Sequence, residues 1–113
     1  AGATRAMYED TATPAQRVFM EKYKARYGKN PGVGTLYAYL PTLILLDALE
    51  KAGRDLTVDK LVAALETVRD FDDGLGTPLH SFTKTDHSGS DGVNLDIVRA
   101  GKLRAVADGI NLQ

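Results

Sequence analysis

The chain has 113 residues, enough for one small domain, with 43 % hydrophobic and 26 % charged residues, an ordinary globular balance rather than a disordered one. Fourteen Lys and Arg stand against fifteen Asp and Glu, for a net charge of -1, so there is no basic excess to offset phosphates and no polybasic run to hold an anionic membrane. Cysteine is absent, which excludes disulfides, thiolate metal sites and a cysteine nucleophile.

The chain opens on Ala1-Gly2-Ala3, with neither an initiator Met nor an apolar signal segment. This start is expected to be the product of processing, proteolysis or design. The longest apolar stretch, Leu36 to Leu46, includes Pro41 and Thr42 and falls well short of the roughly 20 residues of a membrane span. A soluble chain is expected.

Thr4 to Glu9 reads as a short extended segment. A helix follows with clear local grammar. Thr13 is placed to cap it, Pro14 to occupy its first position and Gln16 to complete a T-x-x-Q box. Ala15, Phe19, Tyr23 and Tyr27 recur along one stripe up to Gly28, a residue suited to the left-handed stop. Lys29-Asn30-Pro31-Gly32 is then a loop.

A second helix is expected from about Thr35 to Ala52. Its first half, Leu36 to Leu46, is apolar all round, and only Asp47, Glu50 and Lys51 supply a wet face before Gly53. Such a helix must be buried on all sides. Pro41 marks its true first turn or kinks it. A third helix begins after Thr57, with Leu56 placed to staple against Leu61, and Leu61, Leu65 and Val68 as its inward stripe. Asp70 to Gly76 breaks the helical period.

Strand and turn patterns occupy the remainder. Leu79 to Thr83 is a candidate strand, and Thr85 to Gly92 is a loop rich in Asp, Ser and Gly. Asn94 to Arg99 alternates, with Val93, Leu95 and Ile97 on one face, and Ala100-Gly101 can turn it into Lys102 to Val106 as a hairpin. Three helices and a marginal hairpin cannot wrap an all-round apolar helix. The chain therefore reads as covering helices whose sheet is elsewhere, a fragment of a larger protein.

The candidates for chemistry are few. His80 with Asp86-His87-Ser88-Gly89-Ser90-Asp91-Gly92 invites a metal or hydrolase reading through His80, Asp86 and His87. However, the histidines lie seven apart with no third clear ligand, and neither a calcium-loop spacing nor a G-x-S-x-G elbow is present. Asp, Ser and Gly are what turns use. Asp70, Asp72 and Asp73 read as solvated loop acids, and Gly74-Leu75-Gly76 is too short for a phosphate loop. No catalytic residue, metal ligand or cofactor is expected. Tyr37 and Tyr39, at the start of the apolar helix, can fill core or present ring and hydroxyl to a ligand.

The order of motifs is more informative than any one of them. Phe19-Met20-Glu21-Lys22-Tyr23-Lys24-Ala25-Arg26-Tyr27-Gly28-Lys29-Asn30-Pro31 is followed by Ala38-Tyr39 and Leu45-Leu46-Asp47-Ala48-Leu49-Glu50-Lys51-Ala52-Gly53. Leu61-Val62-Ala63-Ala64-Leu65-Glu66, Asp70 to Pro78, Phe82, Thr85-Asp86-His87 and Val98-Arg99-Ala100-Gly101-Lys102 complete the series. From about Met7 to Val106 this resembles the C-terminal part of the branched-chain amino-acid type solute-binding proteins of ABC importers, the type I periplasmic binding proteins.

The resemblance implies an α/β fold in which two lobes, joined by crossover strands, close on a ligand. Residues 1–113 would be a C-terminal fragment: about 10–76 the helical part of one lobe, and about 79–106 strands running towards the other. The implied function is the extracytoplasmic, periplasmic or extracellular capture of an amino acid or small carboxylate by hinge closure, for the membrane subunits of an importer. A ligand-sensing module of a receptor or regulator with the same fold is the alternative. The family's ligand-contacting Tyr matches Tyr39, in register with Leu46 and Ala48, although Leu40-Pro41 replaces the usual Asp and small residue. His87 falls in a turn motif and is structural. The hydroxyls and amides that hold a ligand carboxylate lie outside this chain, so the 113 residues alone are expected to bind no ligand tightly and to self-associate through the apolar helix.

Overall fold

A computed structural model describes residues 4–111. Three helices lead into a two-stranded antiparallel hairpin: α1 (Pro14–Tyr27), α2 (Val33–Ala52), α3 (Val58–Leu65), β1 (Gly92–Arg99) and β2 (Lys102–Asn111). The α1 boundaries follow the local grammar. The Thr13 side chain accepts from the Gln16 amide at 3.2 Å, and the Gln16 side chain accepts from the Thr13 amide at 3.0 Å, the reciprocal capping box. Gly28 stops the helix with φ 70°.

Helix α2 starts two residues earlier than its apolar run suggested and continues through Pro41. Proline lacks the amide that would meet the Tyr37 carbonyl, and one turn on the Thr42 hydroxyl donates to the Ala38 carbonyl at 2.7 Å. The expectation of burial on every side is not met within this chain. Only Leu36, Leu40, Ile44 and Ala48 are buried, a single row at spacing four, whereas Tyr37, Leu45 and Leu46 stay exposed. At 20 residues and a mean hydropathy of 1.2, α2 is long and apolar enough to cross a membrane by those two measures. Its buried row, packed on other residues of the chain, is nevertheless that of a core helix.

Two apolar clusters divide that row. Leu36 joins Met7, Ala12, Met20 and Leu75, with Phe19 and Tyr39 packed against them. Leu40 and Ile44 join Val68, with Leu65, Phe71 and Phe82 alongside. Helix α3 ends at Leu65, short of the Val68 end of its expected stripe, because the Thr67 hydroxyl turns back to the Ala64 carbonyl at 2.7 Å. Val68 is still only 2 % exposed, reached by a turn rather than by helix.

The strand expected over Leu79 to Thr83 reduces to isolated bridges, Phe71 with His80 and Ser81 with Gly89. Gly89, at φ 84°, lies so close to His80 and Phe82 that a Cβ there would sit 3.1 to 3.3 Å from their rings. A side chain at this position would have to push them apart. The hairpin is longer than expected, reaching Asn111, and its register shifts twice near Leu95. Within this chain the apolar face of β1 is not its buried one. Leu95 and Ile97 are 40 % and 44 % exposed, whereas Asn94 is 2 % exposed. Asn94 sits at the irregular pairing, where its side chain accepts from the Gly109 amide (3.1 Å) and donates to the Gly76 carbonyl (3.3 Å). A buried amide thereby satisfies one backbone group beside the shifted ladder, the Gly109 amide, and one of the preceding loop, the Gly76 carbonyl.

Helix α2 packs on α3 and β1 on β2, but no helix backbone lies close to the hairpin among the described residues. The radius of gyration, 15.9 Å, exceeds the roughly 13 Å of a compact chain of this length.

Candidate functional site

Between the helices and the hairpin lie the leading segment from Arg5 to Asp10 and the loop from Asp72 to Leu79. Gln16 fixes that loop to α1. Having used its side-chain oxygen in the cap, it donates from Nε2 to the Leu75 carbonyl at 2.7 Å. Asp72 and Asp73 shape the same loop by accepting from the Gly74 and Leu75 amides, each at 2.8 Å. These acids serve local backbone rather than proton transfer.

Between leading segment, loop and hairpin lies a cavity of about 860 Å³, lined among others by Arg5, Tyr8, Thr77, Asn94, Arg104 and Asp108. Thr77 is 7 % exposed. Its hydroxyl and one terminal nitrogen of Arg104 are buried without a hydrogen-bond partner among the described residues, so the cavity wall holds unmet polar capacity. Arg5 is fully engaged: it donates to the carboxylates of Asp96 and Asp108 and to the carbonyls of Leu95 (3.3 Å) and Ala107 (3.0 Å). None of these long-range partnerships has a local sequence signature, and the only sequence hint is an arginine preceding an apolar residue in a segment otherwise read as extended.

Tyr39 does not line this cavity. It is half-buried on α2, with its ring 4.8 Å from that of Phe19 and tilted by 56°. Phe19, Tyr23 and Tyr27 continue as an aromatic row along α1, with neighbouring centroids 6.2 and 4.6 Å apart. The two tyrosines considered together are separated, Tyr37 being 58 % exposed while Tyr39 faces the first cluster. Met7 links the two regions, since it lines the cavity and belongs to the cluster on which Tyr39 packs.

The His80, Asp86 and His87 grouping is not assembled. His80 Nδ1 meets the Pro78 carbonyl (2.7 Å), and His87 Nε2 meets Glu66 (3.2 Å). Asp86 accepts from the hydroxyl and amide of Ser88 at 2.6 and 2.9 Å, contacts that hold its carboxyl below the usual pKa. Among the described residues no three His, Cys, Asp or Glu side chains could share a metal ion.

Comparison with known proteins gives two findings. A family model described as periplasmic binding protein matches residues 2–102. The solved structure of the leucine-binding protein LivK of Thermotoga maritima is similar at 26 % identity with a TM-score of 0.64, over 96 % of this chain and 30 % of that one. The chain thus spans about 30 % of the length of the protein it resembles in structure. No curated protein matches.

Proposed function

The chain belongs to the periplasmic binding protein family, and on that premise we propose that it is part of the extracytoplasmic solute-binding component of an ABC importer. In this reading the α/β fold is the C-terminal portion of a type I periplasmic binding protein. The helical part at about 10–76 belongs to one lobe, and the strands from about 79 onward run towards the other. The observation that carries the reading is the family match over residues 2–102, joined to the lack of close backbone approach between helices and hairpin among the described residues. Two bodies linked by extended segments suit hinge closure on a ligand, which would favour the closed arrangement over the open one.

Within this reading Tyr39 contacts the solute. Its support is a half-buried ring held by Phe19 with a hydroxyl that makes no hydrogen bond among the described residues, together with the family register noted above. Amino acids and small carboxylates are the solute class, and the leucine binding of LivK makes branched aliphatic amino acids the first to test. The partners are that solute and the importer's membrane subunits. The 113 residues alone hold part of the cleft and self-associate through the exposed apolar side of α2.

The test is calorimetry on the longer protein that contains this segment, titrated with leucine, isoleucine, valine and aromatic amino acids. Micromolar binding that weakens in Tyr39→Ala supports the reading. Absence of binding to all of them, in a protein with intact helical circular dichroism, overturns the solute class. Tight binding by the 113-residue chain overturns the shared-cleft argument.

A further inference from the structure

The leading segment is held by both of the bodies it separates. Met7 is 8 % exposed and belongs to the cluster formed with Ala12, Met20, Leu36 and Leu75, so it is gripped by the helices. Arg5, Tyr8 and Asp10 are gripped by the hairpin instead. Arg5 spans the middle of the hairpin, bridging both strands, and the contacts near the turn are of another kind. One carboxylate oxygen of Asp10 takes Arg104 Nη2 at 2.7 Å and Lys102 Nζ at 3.3 Å. The same two cations lie 5.8 and 5.5 Å from the centre of the Tyr8 ring, and the Tyr8 hydroxyl accepts from the Leu103 amide at 3.3 Å.

Asp10 stands in the turn that delivers the chain to the α1 cap, a turn closed by the Thr11 amide on the Tyr8 carbonyl at 3.1 Å. It is therefore carried by the helical body. We propose that Asp10, together with Lys102, Arg104 and the Tyr8 ring, is a polar latch that sets the angle between hairpin and helices, and that the turn end of the hairpin swings about the Arg5 contacts at its middle when the latch opens.

The physical case rests on what else holds that end of the hairpin. Among the described residues no helix backbone approaches it, and Val98, Leu103 and Val106 are 68 %, 41 % and 59 % exposed, so little apolar burial fixes its position. An isolated exposed ion pair contributes little. Here two cations share one oxygen and one ring, and apart from the hydrogen bond between the Leu103 amide and the Tyr8 hydroxyl the latch is ionic or cation–π, which makes it sensitive to salt. An apolar hinge contact would not be.

The use of the latch, in closing a cleft, rests on the solute-binding reading. Its existence does not, and the experiment keeps the two apart. The chain has no cysteine, so Lys22→Cys on α1 and Val98→Cys on β1, both exposed, can carry a pair of spin labels. Double electron–electron resonance on the 113-residue chain, diluted with unlabelled protein, reads the distance between helical body and hairpin. The expected result is one narrow distance that is lost to a broad distribution in Asp10→Asn, in Arg104→Gln and in about 1 M salt, where screening acts over about 3 Å. Arg104→Lys should retain part of the narrow component, and helical circular dichroism should not change. A distribution unaltered by Asp10→Asn and by salt overturns the latch. A latch that opens as described, in a longer protein that binds no solute, leaves the latch standing and removes only the function.

Discussion

The rings of Phe19 on α1 and Tyr39 on α2 lie 4.8 Å apart at 56°, in the tilted geometry that aromatic quadrupoles favour. The pair packs against the cluster that holds Met20 of α1 and Leu36 of α2, and so helps to join the two helices. A double-mutant cycle over Phe19→Leu and Tyr39→Leu should give a coupling of about 0.5 to 1.5 kcal/mol. Tyr39→Ala alone should cost about 1 to 3 kcal/mol, less than the 3 to 5 of a fully buried ring because Tyr39 is half-buried. Urea unfolding measures both. A coupling near zero would mean that the helices are joined by the aliphatic residues alone.

What the sequence made legible is local. The Thr13-Pro14-Gln16 cap and Gly28 stop bound α1 within four residues of chain at each end, and the Ala100-Gly101 turn needs only two. The face of the hairpin that is buried within this chain carried no such local signal, because it is set by Asn94 and Asp96 and their distant partners Gly76 and Arg5. Those partners lie 18 and 91 residues away, beyond any periodicity. The all-round apolarity of α2 was legible as a demand for cover on every side. This chain meets that demand along one row only, and the chain spans about 30 % of its structural relative. Tyr39 was singled out through family register, whereas the cavity beside Arg5 and Arg104 had no motif to announce it.

That row and the opposite side of α2 should respond differently to substitution. Leu36 is 1 % exposed, so Leu36→Ala should lose about 2 to 5 kcal/mol through transfer and cavity terms. Leu46 is 56 % exposed, so Leu46→Lys should change unfolding by no more than about 0.5 kcal/mol. It should instead lower the weight-average mass in sedimentation at high concentration, if the exposed side of α2 is where copies meet. An unchanged mass would place self-association elsewhere or remove it.

Asp10 titrates at about 2, below its ordinary 3.8, chiefly because of the hydrogen bond from Arg104, with Lys102 adding to it. A carboxyl whose folded pKa is depressed lends stability above its unfolded pKa and loses it as pH falls through the folded value. The hairpin-to-helix attachment should therefore be intact at pH 5 and weaken between about pH 4 and pH 2. Carboxyl-carbon NMR should show Asp10 titrating near 2 in the parent and moving upward in Arg104→Gln. A midpoint that ignores the Arg104 substitution would show that the pair does not persist in solution.

The turn joining β1 to β2 offers a gain rather than a loss. Ala100 and Gly101 have φ 49° and 72°, so both central residues occupy the left-handed region that a two-residue hairpin of matching twist requires. Glycine adopts it freely, but alanine pays for a Cβ crowded against its carbonyl, a cost of about 1 to 2 kcal/mol. Asparagine tolerates this region far better and is the preferred first residue of such turns. Ala100 is exposed, so the substitution disturbs no packing. Ala100→Asn should raise the urea midpoint by the equivalent of about 0.5 to 1 kcal/mol without changing the slope, since no additional surface is buried. Amide exchange should slow along Leu95 to Leu103 and stay the same in α1 and α2, because the relief is confined to the hairpin. Equal slowing in the helices would mean that hairpin and helices unfold as one unit, contrary to the separation on which the latch at Asp10 depends.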